Sequence, residues 1–164
     1  MNAQIAAEEI RKNLRGIAEL YNRLLLVVGP TGSGKTAALR AFAAEESSPI
    51  INVGVELGRR LLDLTERQRV IEVPSLLERI VGEAEGETVL FDNTEILFNQ
   101  VLNQDPLRLL RALSRNRTLV ASWLGRVDGQ HLVYATPEHR EFRRYEVDDL
   151  LIVEVSAIKG AFGS

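Results

Sequence analysis

An unbroken apolar run, Leu24-Leu25-Leu26-Val27-Val28, passes directly into Gly29-Pro30-Thr31-Gly32-Ser33-Gly34-Lys35-Thr36. Glycine, four residues of any kind, then glycine, lysine and serine or threonine is the phosphate-loop pattern, and its physical requirement is narrow. The amides of such a loop must converge on phosphate oxygens. Glycine is therefore needed where a Cβ would block the approach or where φ must be positive, a need that Gly32 and Gly34 fit. The helix starting at the loop turns its unpaired N–H groups and positive dipole end toward the β-phosphate. Lys35 is expected to reach the β and γ oxygens, and Thr36 to offer its hydroxyl to Mg2+. The expected cofactor-binding set is Gly29, Pro30, Thr31, Gly32, Ser33, Gly34, Lys35, Thr36 and Ala37, with ATP and Mg2+ as cofactors. An ordinary glycine-rich turn needs neither lysine nor threonine at the helix start.

The flanking pattern agrees with this reading. The run 24–28 has the continuous apolar character of a strand buried on both faces, and 35–44 is alanine- and leucine-rich, as a helix should be. Strands are expected at 50–53, 88–91, 118–123, 132–135 and 150–155, the last closing the sheet. Helical spacing falls at 57–64, 75–85, 95–102 and 106–114, with Pro74 and Ser75 read as the start of the second of these. Ahead of all this, Ile5, Ile10, Leu14, Ile17 and Tyr21 give 2–21 the period of an amphipathic helix. The expected architecture is a single P-loop NTPase domain, 1–164, with an N-terminal helix in 1–22 and an α/β core in 24–156. Its fold class is α/β: a three-layer α/β/α arrangement around a mostly parallel RecA-like or AAA-like sheet. About 40 residues follow the strand at 118–123, too few for the helical lid that AAA ATPases append.

Val89-Leu90-Phe91-Asp92 is an apolar strand ending in a carboxylate, which places Asp92 beside a magnesium ion held by Thr36. This is the expected Walker-B aspartate. In many ATPases a glutamate follows that aspartate and orients or deprotonates water, but here Asn93 stands in its place. Glu95, at the start of the next helical segment, is the alternative base, although an acid in a first turn is also stabilised by the helix dipole. The expected catalytic set is thus Lys35, Asp92 and Glu95. Ser122, read as the tip of its strand, is the candidate γ-phosphate sensor.

Composition narrows the partners. Hydrophobic residues at 45% and charged residues at 26% fit a soluble globular domain, and no apolar run approaches membrane-spanning length. The absence of cysteine removes disulfide and thiolate chemistry and fits a cytoplasmic setting, while two histidines are too few for a histidine metal site. A net charge of −3 does not point to DNA, yet seventeen of the twenty basic residues are arginine, the better partner for phosphates. Arg59, Arg60, Arg115 and Arg117 are candidates for a finger supplied to a neighbouring subunit's nucleotide. Arg108, Arg111 and Arg115 share a helix face that can meet phosphates or simply water.

The segments 24–36, 56–69, 90–98, 113–123 and 134–137 together resemble BrxF, the small P-loop family of type 3 BREX phage-defence systems. The stretches 59–69 and 114–118 carry the more specific part of the resemblance. It implies an ATP-binding cytoplasmic component of a bacterial defence complex with other BREX proteins as partners; self-association is a separate expectation. The Walker residues carry over onto 29–36 and Asp92 alone. Two other readings stay open at the level of sequence: a nucleotide-gated scaffold with little turnover, and a P-loop small-molecule kinase using Glu66-Arg67-Gln68-Arg69 in its lid.

Overall fold

The computed structural model describes residues 2–134, 143–147 and 149–155. Its centre is a parallel sheet in the order β2-β3-β4-β1-β7, formed by β2 (Ile50–Asn52), β3 (Thr88–Asp92), β4 (Thr118–Asp128), β1 (Leu24–Gly29) and β7 (Leu151–Glu154). All six residues of β1 are buried, because it lies in the interior of the sheet with helices over both faces. On one face, α1 (Ala3–Leu14) and α2 (Lys35–Glu46) pack on Leu25, Val27, Leu90 and Val120. On the other, α3 (Val53–Leu61), α4 (Glu66–Glu83) and α5 (Pro106–Leu113) cover Leu24, Leu26, Phe91 and Ala121. Alternate residues of one strand thus feed two separate cores, as the two-residue repeat of a strand requires.

Several elements begin or end elsewhere than the pattern suggests. The amphipathic spacing of 2–21 overstates the first helix: α1 stops at Leu14, Gly16 takes a left-handed conformation, and a 3-10 turn covers Ile17–Glu19. Of the expected buried face, Ile5 is 51% and Tyr21 74% exposed, and the stripe actually buried is Ala6, Ala7 and Ile10. Val53 opens α3 rather than ending β2, because the Asn52 side chain accepts from the Val55 amide and caps the helix there. The expected helix at 95–102 is two short 3-10 turns, Thr94–Phe98 and Gln100–Leu102. β4 runs on to Asp128, so Ser122 is not at its tip. There it pairs antiparallel with β5 (His131–Tyr134), which pairs with β6 (Arg143–Glu146), a strand the apolar pattern did not reveal. The last strand, β7, forms the edge beside β1. Ala135, at the expected end of β5, and Ser156, at the expected end of the core, lie outside the described residues.

The largest shift concerns Pro74. Read as a helix start, it sits inside α4, which begins eight residues earlier under a capping box formed by Thr65 and Gln68. Proline within a helix deprives the carbonyl four residues back of its donor, here that of Val70. Gln104 supplies the missing bond: its Nε2 donates to Val70 O at 2.8 Å and to Leu102 O at 2.7 Å. The side chain of a distant loop thus makes the proline tolerable, and fastens the turn after Thr94–Phe98 to α4.

Removing that donor leaves a carbonyl without a partner. Gln104→Ala should lower unfolding free energy by about 1–3 kcal/mol in urea titrations. The loss should shrink when Pro74→Ala is added, because a helical N–H then returns to Val70 O; an equal loss in both backgrounds would contradict this account.

Candidate nucleotide site

Because the main strands are parallel, their carboxyl ends meet at one edge. The phosphate loop follows β1 there, beside the ends of β2 and β3 and the middle of β4: Gly29 aligns with Leu124, and Asn52 with Asp92. Between them lies a cavity of about 520 Å³ lined by loop residues Thr31, Gly32, Gly34, Lys35 and Thr36, and by Asn52, Asp92, Asn93, Glu95 and Leu124.

The loop has the backbone that the pattern anticipates. Gly32 and Gly34 have φ of 74° and 102°, values that a side chain disfavours. A Cβ on Gly29 would collide with Ser33 Oγ and lie 2.6 Å from Val155 O, so the loop can lie against the exit of β7 only if residue 29 has no side chain. Thr36 Oγ1 donates to Asp92 Oδ2 at 2.8 Å, joining the two expected metal ligands. Lys35 Nζ turns back and donates to Gly29 O and Pro30 O, each at 2.8 Å. Burial lowers the Lys35 pKa from 10.5, against the opposing pull of the Glu95 and Asp92 carboxylates.

Glu95 is positioned by two different anchors. Ahead of it, the Thr94 hydroxyl donates to Ser122 O at 2.6 Å. Behind it, Phe98 stacks on Tyr134 with ring centroids 3.5 Å apart and meets Trp123 edge-on at 4.9 Å. Between these anchors, Glu95 Oε2 is buried without a hydrogen-bond partner, and Ser33 Oγ is in the same condition. Glu95 lines the cavity, so its unpaired oxygen is free to take a bond from a guest.

Asn52 is a cavity residue that the motif search missed. Its Oδ1 accepts from Asn93 Nδ2 at 2.9 Å as well as from Val55 N, while Asn93 O accepts from Gly54 N at 3.1 Å. Asn93 itself is left-handed, with φ of 54° and ψ of 56°. The side chain standing in the place of a glutamate is therefore held from both ends of its residue. The only prior signal for Asn52 was its place at the end of an apolar strand, a feature shared by many turns.

Other expected residues lie apart. Ser122 is buried to 1% exposure and does not line the cavity; neither do Gly29, Pro30, Ser33 and Ala37, of which Ala37 is exposed in the first turn of α2. None of the four arginine candidates lines it either. Arg59 pairs with Glu56 and Arg60 with Glu83, whereas Arg117 donates to the carbonyls of Val81, Ala84 and Gly86 at the far end of the sheet. Arg69 and Gln68, in the stretch read as a possible kinase lid, are bound into the junction of α3 and α4: Arg69 Nε donates to Leu61 O and Leu64 O.

No protein-family model matches the chain, and no curated protein does. Among solved structures it is similar to a DNA replication initiation factor, with 14% identity and a TM-score of 0.51 over 91% of this chain and 44% of that one. It also aligns with AMPPCP-bound DnaA from Aquifex aeolicus, at 15% identity and TM-score 0.42 over 93% of this chain and 46% of that one. Drosophila ORC bound to DNA gives 21% identity and TM-score 0.47 over 96% and 44%. The chain spans less than half the length of each. The sheet order, the loop after β1 and the first of these likenesses make it a P-loop ATPase fold of the RecA-like and AAA-like kind.

The lysine gives the site a pH signature. An anionic phosphate in place of the two carbonyls would raise the lowered Lys35 pKa, so binding takes up a proton once the pH passes the free-state value. ATP affinity should thus fall as the pH rises through the lowered free-state value. Calorimetry in buffers of different ionisation heat reads that uptake, and Lys35→Arg should abolish it.

Proposed function

We propose that this chain binds ATP with Mg2+ in the cavity at the carboxyl edge of its sheet and hydrolyses it. The observation that carries the reading is the 2.8 Å bond between Thr36 and Asp92, since two oxygen ligands already converge where the phosphate loop ends. The residues fit the cofactor: loop glycines with positive φ, a lysine held by weakly competing carbonyls, and an orphaned carboxylate oxygen on Glu95 in the cavity wall. Bound there, Mg2+ would neutralise phosphate charge. Lys35 exchanges Gly29 O and Pro30 O for phosphate oxygens, and Gly32 and Gly34 leave room for the approach. Glu95 accepts a hydrogen bond from the attacking water through its free Oε2, while Asn93, tethered to Asn52, offers its remaining amide oxygen to the same region.

The resemblance to BrxF supports a further step: the ATPase acts in a cytoplasmic phage-defence complex of the BREX type, where nucleotide binding and turnover drive assembly or remodelling of its partners. Among the described residues no helix is long and apolar enough to cross a membrane. A second reading, a nucleotide-gated scaffold that turns over slowly, draws on Asn93, whose amide cannot take a proton from water as a carboxylate can.

Phosphate release and calorimetry on the same preparations separate the two. Under the first reading, Lys35→Ala should cost about 10² or more in rate, and Glu95→Gln about 10²–10⁴ with ATP affinity retained. Wild-type rates in both variants would overturn it. ATP binding with no measurable turnover, alone or with partner proteins and DNA, would establish the scaffold.

A further inference from the structure

Two segments distant in sequence, 15–23 and 108–117, hold six arginines and one glutamate in a chain whose net charge is −3. The fold lays them side by side where β1 and β4 begin, at the edge opposite the nucleotide cavity. Arg23 N donates to Ser114 O at 2.8 Å, Asn22 Nδ2 to Arg111 O at 2.9 Å, and the Arg23 guanidinium to Arg115 O at 3.2 Å. Of the six, Arg117 is engaged by three carbonyls. Among the described residues, Arg15, Arg23, Arg108, Arg111 and Arg115 form no ion pair, whereas Arg11, Arg59, Arg60 and Arg126 each do. Among the described residues Arg40, Arg67, Arg69, Arg79, Arg143 and Arg144 also form none, so what sets this group apart is its clustering at one edge.

An aromatic ring stands within the group. Tyr21 is 74% exposed, more than any other large hydrophobic side chain described, and the Arg115 guanidinium carbon lies 5.3 Å from its ring centroid. The arginine orders the ring from one side and leaves most of it in water. Glu19 precedes the ring by two residues, and Glu87 shares the adjoining groove with Arg23, so the basic surface is bounded there. It continues along α5, which carries Arg108 and Arg111, to Arg115 just past the helix end.

We propose that this edge binds single-stranded nucleic acid, with a base stacked on Tyr21 and phosphates held by Arg23, Arg108, Arg111 and Arg115. Guanidinia without carboxylate partners beside an open ring are the two elements of a sequence-tolerant single-strand site. A duplex has its bases stacked inside and cannot use the ring. An acidic polypeptide can satisfy the arginines but gains nothing from stacking. The bases and phosphates read in this way are common to DNA and RNA.

Anisotropy of labelled oligothymidylate, oligouridylate and a duplex of equal length, each added to the full chain, tests this. Both single strands should bind with comparable affinity, the duplex at least about tenfold more weakly, and the salt slope should be about −0.7 for each phosphate held. Tyr21→Ala should weaken single-strand binding by about tenfold, and the pair Arg108→Glu with Arg115→Glu by more, all three at exposed positions whose folding is checked by thermal melts. Lys35→Ala should bind as wild type, so loss of the ATP site and loss of this one read out separately. Absence of binding at low salt, no response to Tyr21→Ala, an equally tight duplex, or displacement by polyglutamate at matched charge would each overturn the proposal.

Discussion

The Thr36–Asp92 hydrogen bond joins residues 56 apart in sequence, and the sheet order makes the meeting possible. β1 and β3 are not neighbours: β4 lies between them, so the backbones leading to the two residues are separated by two strand spacings, roughly 10 Å. That gap matters chemically. Adjacent strands would bring the loop and the aspartate too close for a metal ion and phosphate between them, while a wider separation would exceed the reach of two short side chains. Everything else at the edge follows from the same spacing. Leu124 of β4 forms part of the cavity wall because β4 occupies the gap, and Ser122 supplies the carbonyl that holds Thr94 because it is one strand away from β3.

Burial then decides which polar groups stay available. The fold pairs most of its interior hydrogen-bonding atoms with care, even providing Gln104 for a carbonyl that Pro74 leaves bare. Against that standard three described side-chain atoms stand out: Ser33 Oγ and Glu95 Oε2, in segments forming the nucleotide edge, and Arg117 Nε at the opposite edge. An unsatisfied buried oxygen costs stability. At Glu95, on the cavity wall, a bound guest can relieve that cost. The aromatic cluster of Phe98, Tyr134 and Trp123 adds rigidity at the same place, since Phe98 lies in the same 3-10 turn as Glu95.

What the sequence disclosed and what it hid divide along a physical line. The loop, β1, Asp92 and the helix after Lys35 were readable because each depends on residues adjacent in the chain: glycines for backbone shape, an apolar run for two-sided burial, a lysine at a helix start. The position of α4 was misjudged because Pro74 is locally a good first residue, and only Gln104, thirty residues later, makes it acceptable in a helix interior. β6 was hidden because Arg143, Arg144 and Glu146 interrupt any apolar pattern, and its one deeply engaged side chain, Tyr145, bonds to Asp105 on a different element. Asn52 escaped notice for the same reason: its meaning lies in Asn93, just past the end of the neighbouring strand.

The two proposed anion sites differ in where their positive charge comes from. At the carboxyl edge it is supplied largely by backbone amides, a helix terminus and a single lysine, with Asp92 and Glu95 close by. That arrangement suits a ligand arriving with its own Mg2+, because the carboxylates would otherwise repel it. At the opposite edge the charge is carried by guanidinia without acids paired to them, which suits a polymer whose phosphates bring only exchangeable counterions. β4 connects the two edges, running from Thr118 beside the arginines to Leu124 at the cavity, roughly 20 Å at the rise of a strand. This exceeds two screening lengths at physiological salt, so phosphates held at one edge raise little electrostatic penalty against phosphates held at the other. A sheet only a few residues deep is therefore sufficient to keep a triphosphate and a nucleic-acid strand on one small domain at the same time.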